Sequence, residues 1–368
     1  MSDGGLRVLL FSDLLLDRPY EWAPPALAVR RRAIAREALV ELLGAARQHH
    51  VDVVACAGNL FDRRTVRPAT IHWLVAALRS AGVPVLIAPG GRDFVDALGG
   101  YAVHTWPDNV TIFDTTRFSP KEIGEGFTIW GACHTEAHRS RSFFDTFRVD
   151  RQGVNLALFN GAEAFGTNRE PGLEPSATWD EGAAVLAGFD HALVGHYQQP
   201  HFGRRHTYPG APIAHEFGTA QPRGAVLLTV DPNGGVEQEL LEIPSPALRD
   251  AEVDLTGTMS EQEVVARTNA VERRSGDALR LRLTGRISPD LILRRADFLD
   301  LAPSDGELVI VWDVELDIDF DELAAERTVR GQFVRQVLAS PMSDERRQRI
   351  LLIGLRALAG HHDLEGAR

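Results

Sequence analysis

The first two thirds of the chain alternate between short continuous apolar runs and longer segments with helical spacing. Residues 7–12 ("RVLLFS"), 51–56 ("VDVVAC") and 84–88 ("PVLIA") read as buried strands. Between the first two, residues 28–48 carry Ala33, Leu39, Leu42, Leu43 and Ala46 at the spacing of a helix. Residues 69–80 read as a second helix, ending near Gly82. This β-α-β-α-β order predicts an α/β fold with a parallel sheet layered by helices. Further strands are predicted near 110–113, 127–132, 154–159 and 191–195, then a hairpin turning at Pro232-Asn233-Gly234-Gly235.

The Pro-containing joint 243–250 ("IPSPALRD") suggests a boundary, with one domain over 1–245 and a smaller α+β capping domain over 246–320. In the latter, "AEVDL", "ALRLRLTG" and "LVIVWDVEL" read as strands. Ser260 and Glu263 form a capping box for a helix reaching about Arg274, and Ser288-Pro289 opens another. Two amphipathic helices, 321–340 and 344–359, make up a third segment, 321–368.

Composition adds mostly exclusions. With 44% hydrophobic and 24% charged residues, a globular core is expected. No apolar stretch approaches the ~20 residues of a membrane span, so no membrane association is predicted. Cys56 and Cys133 are too few for a disulfide framework, and no basic region flanks the first apolar run, so a cytoplasmic location is expected. The formal net charge of −12 repels phosphates, so any nucleic-acid contact needs a local basic patch. Arg63, Arg64, Arg67, Arg204 and Arg205 are the candidates for one, while Arg30, Arg31 and Arg32 read as solvated.

Polar loops follow five of the strand ends: "SDLLLD" (12–17), "GNLFD" (58–62), "PGGRD" (89–93), "FNG" (159–161) and "GHYQ" (195–198). Ligands of α/β proteins bind at such carboxyl ends. This order resembles the calcineurin-like metallophosphoesterases, and more narrowly the SbcD-type DNA-repair nucleases and their YhaO-like relatives. Their strand ends read D-x-H, G-D-x-x-D, G-N-H-D or G-N-H-E, a lone His-Gly and G-H-x-H. "FDHALVGHYQQPH", "YPGAPIAHEFG" and the tail segments "ERTVRGQFVRQVL" and "GLRALAG" extend the resemblance over nearly the whole chain. It implies a four-layer α/β/β/α metallophosphoesterase sandwich.

The resemblance also implies a site, and most of that site is substituted. Such enzymes hold two divalent cations, usually Mn²⁺, that activate a water for in-line attack on a phosphodiester. Asp13 and His196 match retained metal ligands. Leu15 stands at the D-x-H histidine, Asn59 at the bridging aspartate, Gly91 at an asparagine, Asn160 at the lone histidine and Gln198 at the last histidine. Arg92 stands at the catalytic histidine. Two of eight positions are therefore intact. A site so poor in negative charge holds two cations badly. The expected reading is a DNA-repair exonuclease homologue without catalysis and with no cofactor, with Arg92 near Asp13 in place of a cation. It would bind DNA weakly, or act as a scaffold for an SbcC-like SMC-family ATPase that docks on the tail helices; a homodimer is a further option. The alternative is a divergent, active Mn²⁺-dependent nuclease or phosphodiesterase. A single-metal site of Asp13 and His196 could draw a third ligand from Asp17, Asp62, Asp93, His134, His201, His206 or Glu216. A third reading, phosphate or nucleotide sensing, rests on Arg92.

Overall fold

A computed structural model describes residues 4–137, 142–164, 176–219, 222–288, 291, 293–317 and 319–358. Its contacts divide the chain into two compact units, 1–215 with 221–245, and 216–220 with 246–368.

The first unit opens with β1 (Leu6–Phe11), α1 (Pro25–Gln48), β2 (Val53–Cys56), α2 (Pro68–Arg79), β3 (Val85–Ile87) and β4 (Val110–Ile112). There follow β5 (Ser119–Gly124), β6 (Phe127–Gly131), β7 (Val154–Asn160), β8 (Ala162–Glu163), β9 (Thr178–Trp179) and α3 (Glu181–Ala187). The unit closes with β10 (His191–Gly195), β11 (His201–Phe202), β12 (His206–Tyr208), β13 (Gly224–Val230) and β14 (Val236–Glu242). Two six-stranded sheets result, in the orders β14-β13-β1-β2-β3-β4 and β11-β12-β10-β7-β6-β5. Strands β1 to β4 run parallel, as do β6, β7, β10 and β12; β13, β14, β5 and β11 join by antiparallel pairing.

Period-two alternation makes this a layered structure. Leu6, Val8, Leu10, Val53, Ala55 and Leu86 face the second sheet and share a core with Ile129, Leu156, Leu158 and Leu193. Their neighbours Leu9, Phe11, Val54, Cys56, Val85 and Ile87 face α1 and α2. On the far side, Trp130, Phe159, Ala192 and Val194 pack with Phe143, Phe144, Phe189 and the α3 residues Ala184 and Ala187. The fold is thus a four-layer α/β/β/α sandwich.

Several sequence expectations need correction. In α1 the buried stripe passes through Ile34 and Ala35, while Ala33 is exposed. Arg31 is buried in that helix, not solvated, because its guanidinium donates to the Ala214 carbonyl. Helix α3 was not expected: its seven residues are too few to show a period, although Asp180 caps Ala183 N and Gly188 ends it at φ 96°. Strand β5 ("SPKEIG") is polar, contains a proline and lies on an edge, so it lacks the apolar signature.

The second unit has β15 (Leu248–Asp254), α4 (Glu261–Asn269), β16 (Ala278–Ile287), a 3₁₀ turn (Arg295–Leu301) and β17 (Glu307–Leu316). Its three strands are parallel, in sequence order, over a core of Leu255, Val264, Leu281, Leu283 and Phe298. Helix α4 ends at Asn269, five residues short of the expected Arg274. The helix expected from Ser288 is that 3₁₀ turn at 295–301; Pro289 lies outside the described residues. The helix expected over 321–340 is two helices, α5 (Phe320–Ala325) and α6 (Val329–Leu338), followed by α7 (Asp344–Leu358). Glu326 turns extended (ψ 141°) and Thr328 caps Gly331 N. A Cβ at Gly331 would meet the Glu326 and Leu323 carbonyls, so the break depends on that glycine.

Candidate functional site

The polar loops converge because the parallel strands of both sheets end at one rim. The β1 and β2 loops extend their strands' pairing: Asp13 N, Leu15 N and Leu16 N donate to the carbonyls of Gly58, Asn59 and Leu60 at 3.0 Å each. Holding that register costs backbone strain. Asp13, Leu15, Asp17 and Asn59 sit at φ 55°, 51°, 59° and 55°, and His196 at 123°. Positive φ is uncommon outside glycine and is an outlier for a bulky leucine. Gly58 (φ 84°) lies where a Cβ would strike Gly90 N at 2.7 Å, so the second and third loops touch through backbone.

Asp13 and Asn59 form the centre. Asn59 Nδ2 donates to Asp13 Oδ1 at 2.7 Å, and Asn59 Oδ1 accepts from Arg92 N at 2.9 Å. The second bond fixes the amide's orientation, because an N–H can face only the oxygen. The donor end of Asn59 therefore points at Asp13. The other Asp13 oxygen accepts from His196 N at 3.0 Å. Burial pushes the Asp13 carboxyl up to about 6, against the Asn59, Ser12 and His196 donors that pull it down.

Around this pair the remaining candidates divide. Asn160 comes close: both its side chain and that of Asn59 lie against Gly90, where a Cβ would meet Asn59 Oδ1 at 2.6 Å and Asn160 Cγ at 2.8 Å. Asn160 Nδ2 donates to Ala57 O at 2.8 Å, and its buried Oδ1 has no hydrogen bond. His196 is buried. Desolvation, with the nearby His134 and Arg92 charges, pushes it down to about 4, so it is neutral at pH 7. Leu15 is buried and offers no lone pair. A side chain at Gly91 would meet the Ala137 carbonyl at 2.6 Å. Gln198 contributes its backbone carbonyl to Ala211 N and Arg223, at 3.0 and 2.7 Å.

Arg92 differs from expectation. Its guanidinium lies 3.5 Å from Asp62, and the group that meets the Asp13 carboxylate is the neutral Asn59 amide. Long side chains choose partners by torsion rather than by sequence position, and an amide already fills the place beside Asp13.

The proposed replacement ligands are mostly committed elsewhere. Asp93 accepts from Asn59 N, Leu60 N, Gly90 N and Tyr101 Oη at 2.7–2.8 Å, fastening the β2 and β3 loops together. Asp17 holds Arg67, Arg36 and Thr70. His134 Nε2 meets the Asn160 carbonyl at 2.8 Å. Glu216 is exposed in the second unit. His201 and His206 gather with Glu163, packed with Trp179 and Tyr208 on the outer face of the second sheet. His215, which the motifs did not flag, bridges the Asp13 carbonyl and Tyr20 Oη at 2.8 and 2.9 Å.

The arginines do not form one basic track. Arg63 pairs with Asp96, Arg64 with Asp62 and Arg67 with Asp17. Arg204 and Arg205 lie in the β11–β12 turn. His206 pairs beside Ala192, at the start of β10, so this turn is at the end of the sheet opposite His196.

These residues do not fit two divalent cations. One carboxylate remains at the family's ligand positions, two N–H donors already occupy it, and an amide hydrogen points at it from the place of the expected bridging ligand. In sequence, the chain is similar to a metallophosphoesterase. Over 256 residues the chain is 23% identical to the "Uncharacterized metallophosphoesterase YhaO" of Bacillus subtilis (strain 168), covering 67% of this chain and 62% of that protein. The chain thus spans less than two thirds of that relative's length. A solved structure, that of TT1561 from Thermus thermophilus, aligns with TM-score 0.38 and 12% identity over 64% of this chain and 99% of that one. No family model matches the chain. No helix among the described residues is long and apolar enough to cross a membrane.

Proposed function

We propose that this chain is an SbcD/YhaO-like homologue that has lost two-metal catalysis and serves as a scaffold subunit beside an SbcC-like ATPase. The hydrogen bond from Asn59 Nδ2 to Asp13 Oδ1 carries the first half. It satisfies the carboxylate internally, as a cation does in a working site. The second half rests on the motif resemblance and on the tail. Helices α5, α6 and α7 bury Leu323, Val334, Val337, Leu351 and Leu355 among themselves, and leave Val329 and Leu358 exposed. A small helical cluster with apolar residues still outside suits docking on a coiled coil. DNA binding is the weaker part of this reading. Three candidate arginines are neutralised by carboxylates, and a phosphate contact must displace them.

The test is Mn²⁺-dependent hydrolysis of a linear DNA duplex and of a small phosphodiester by the wild type and Asp13→Ala. We expect both proteins to match the no-enzyme background. Cleavage by the wild type that Asp13→Ala abolishes would establish the divergent active nuclease instead.

A further inference from the structure

On the outer face of the second sheet, away from the strand-end rim, four titratable side chains from three parts of the chain converge. Glu163 is on β8, His201 on β11 and His206 on β12; one ligand atom from each lies within 4.8 Å of the others. Glu181, the first residue of α3, stands behind them: its Oε2 accepts from His206 Nδ1 at 3.0 Å. With the proton on Nδ1, the Nε2 lone pair of His206 points outward. That Nε2 is buried, makes no hydrogen bond, and lies 3.4 Å from Glu163 Oε1.

Two acceptors facing each other at 3.4 Å need a positive charge between or upon them. One solution is a second proton, making His206 an imidazolium held by two carboxylates. The other is a metal. The distance favours the metal: tetrahedral bonds of ~2.0–2.1 Å place neighbouring ligands ~3.3–3.4 Å apart. So does His201, because a proton shared by His206 and Glu163 needs no second imidazole. The charge also balances, since two carboxylates match one divalent ion.

The site is built rather than incidental. A Cβ on Gly203 would lie 2.1 Å from His206 Cε1, so glycine there lets the β11–β12 turn close over the ring. Trp179 packs edge-on to the same ring at 5.5 Å. Tyr197 Oη accepts from Glu163 N at 3.1 Å, which fixes the backbone of the carboxylate. A carboxylate behind a ligating imidazole is the usual outer partner of such a metal.

We infer that Glu163, His201 and His206 form a binding site for one zinc-class divalent cation, oriented by Glu181, that fastens the β8 segment to the edge of the second sheet. Two imidazoles with one carboxylate suit Zn²⁺ better than Mn²⁺ or Mg²⁺, and leave a fourth position for water. This site shares no residue with the Asp13 centre and does not depend on how that centre is read.

The experiment uses untagged full-length protein, stripped with chelator and titrated with Zn²⁺. Readouts are elemental analysis after gel filtration, thermal unfolding, and the visible absorption of the Co²⁺ form. We expect one Zn²⁺ per chain, a higher melting temperature with Zn²⁺, and tetrahedral Co²⁺ absorption. Glu163→Gln and His201→Gln, both at half-buried positions that tolerate substitution, should lose all three. Glu181→Gln should weaken binding about 10–100-fold while leaving one ion per chain at saturation. Asp13→Asn should bind as the wild type does. The inference is overturned if the wild type holds no zinc, which leaves the imidazolium pair. It is equally overturned if Glu163→Gln and His201→Gln bind as tightly as the wild type, or if Asp13→Asn abolishes binding.

Discussion

Asn59 decides what the rim can do. An aspartate at 59 would put two carboxylates 2.7 Å apart in a buried place, where only one can ionise without a cation. We expect Asn59→Asp to destabilise the protein by about 3 kcal/mol at pH 8 in chelator, and by less at pH 5, where one carboxyl protonates. Urea unfolding measures this, and a variant as stable as the wild type at pH 8 would mean that Asp13 does not need its amide partner. The polar loops themselves were legible, because each follows an apolar run that marks a strand end. Their bonding was not. Arg92 pairs with Asp62, thirty residues away, and His215 reaches the Asp13 carbonyl from "YPGAPIAHEFG", a segment whose resemblance assigned that histidine no role. Such pairings depend on side-chain torsions and on backbone held at positive φ, which residue types alone do not specify.

Elements were legible in proportion to their length and apolar contrast. Strands β1, β2, β3, β7 and β10 and helices α1 and α2 carry long periodic patterns and lie close to where those patterns place them. Strands β5, β11 and β12 and helix α3 are short or polar and left no period to read. The break between α5 and α6 hides inside an amphipathic pattern, since Thr328 and Gly331 act through capping and close approach rather than hydrophobicity. The three tail helices share a core separate from that of the β15–β17 sheet. A chain ending at Asp319 is therefore expected to stay soluble and unfold cooperatively, as followed by circular dichroism. Aggregation would show that the tail covers apolar surface the rest of the protein cannot expose.

Across the whole molecule, burial sets an acid sensitivity. His191 and His196 are pushed down to about 3 and about 4, and His215 well below 6.5, with burial the largest cause in each. They gain protons on unfolding, so each lowers stability as pH falls below 6.5, by at most ~1.4 kcal/mol per pH unit. Asp13 and Asp93 act oppositely. Their carboxyls, raised to about 6 by burial, take up protons in the folded state first, so acidification from 6 towards 3.8 stabilises at the same slope per group. His201 is lowered as well, so four histidines stand against two carboxyls and stability falls on balance between about pH 6 and 4. Urea midpoints at pH 7, 6 and 5 should fall in that order, and His191→Gln should flatten the profile; a midpoint rising towards pH 5 would reverse the balance. The layered α/β architecture was legible because parallel-strand periodicity and loop order agree. The cluster of Glu163, His201, His206 and Glu181 was not, since its members come from short strands and an unrecognised helix. The proposed loss of a two-metal centre is tested most directly by counting bound Mn²⁺ in the wild type and in Asp13→Ala, by elemental analysis and electron paramagnetic resonance. We expect no Mn²⁺ that depends on Asp13. Two Mn²⁺ ions per chain in the wild type, lost in Asp13→Ala, would contradict it.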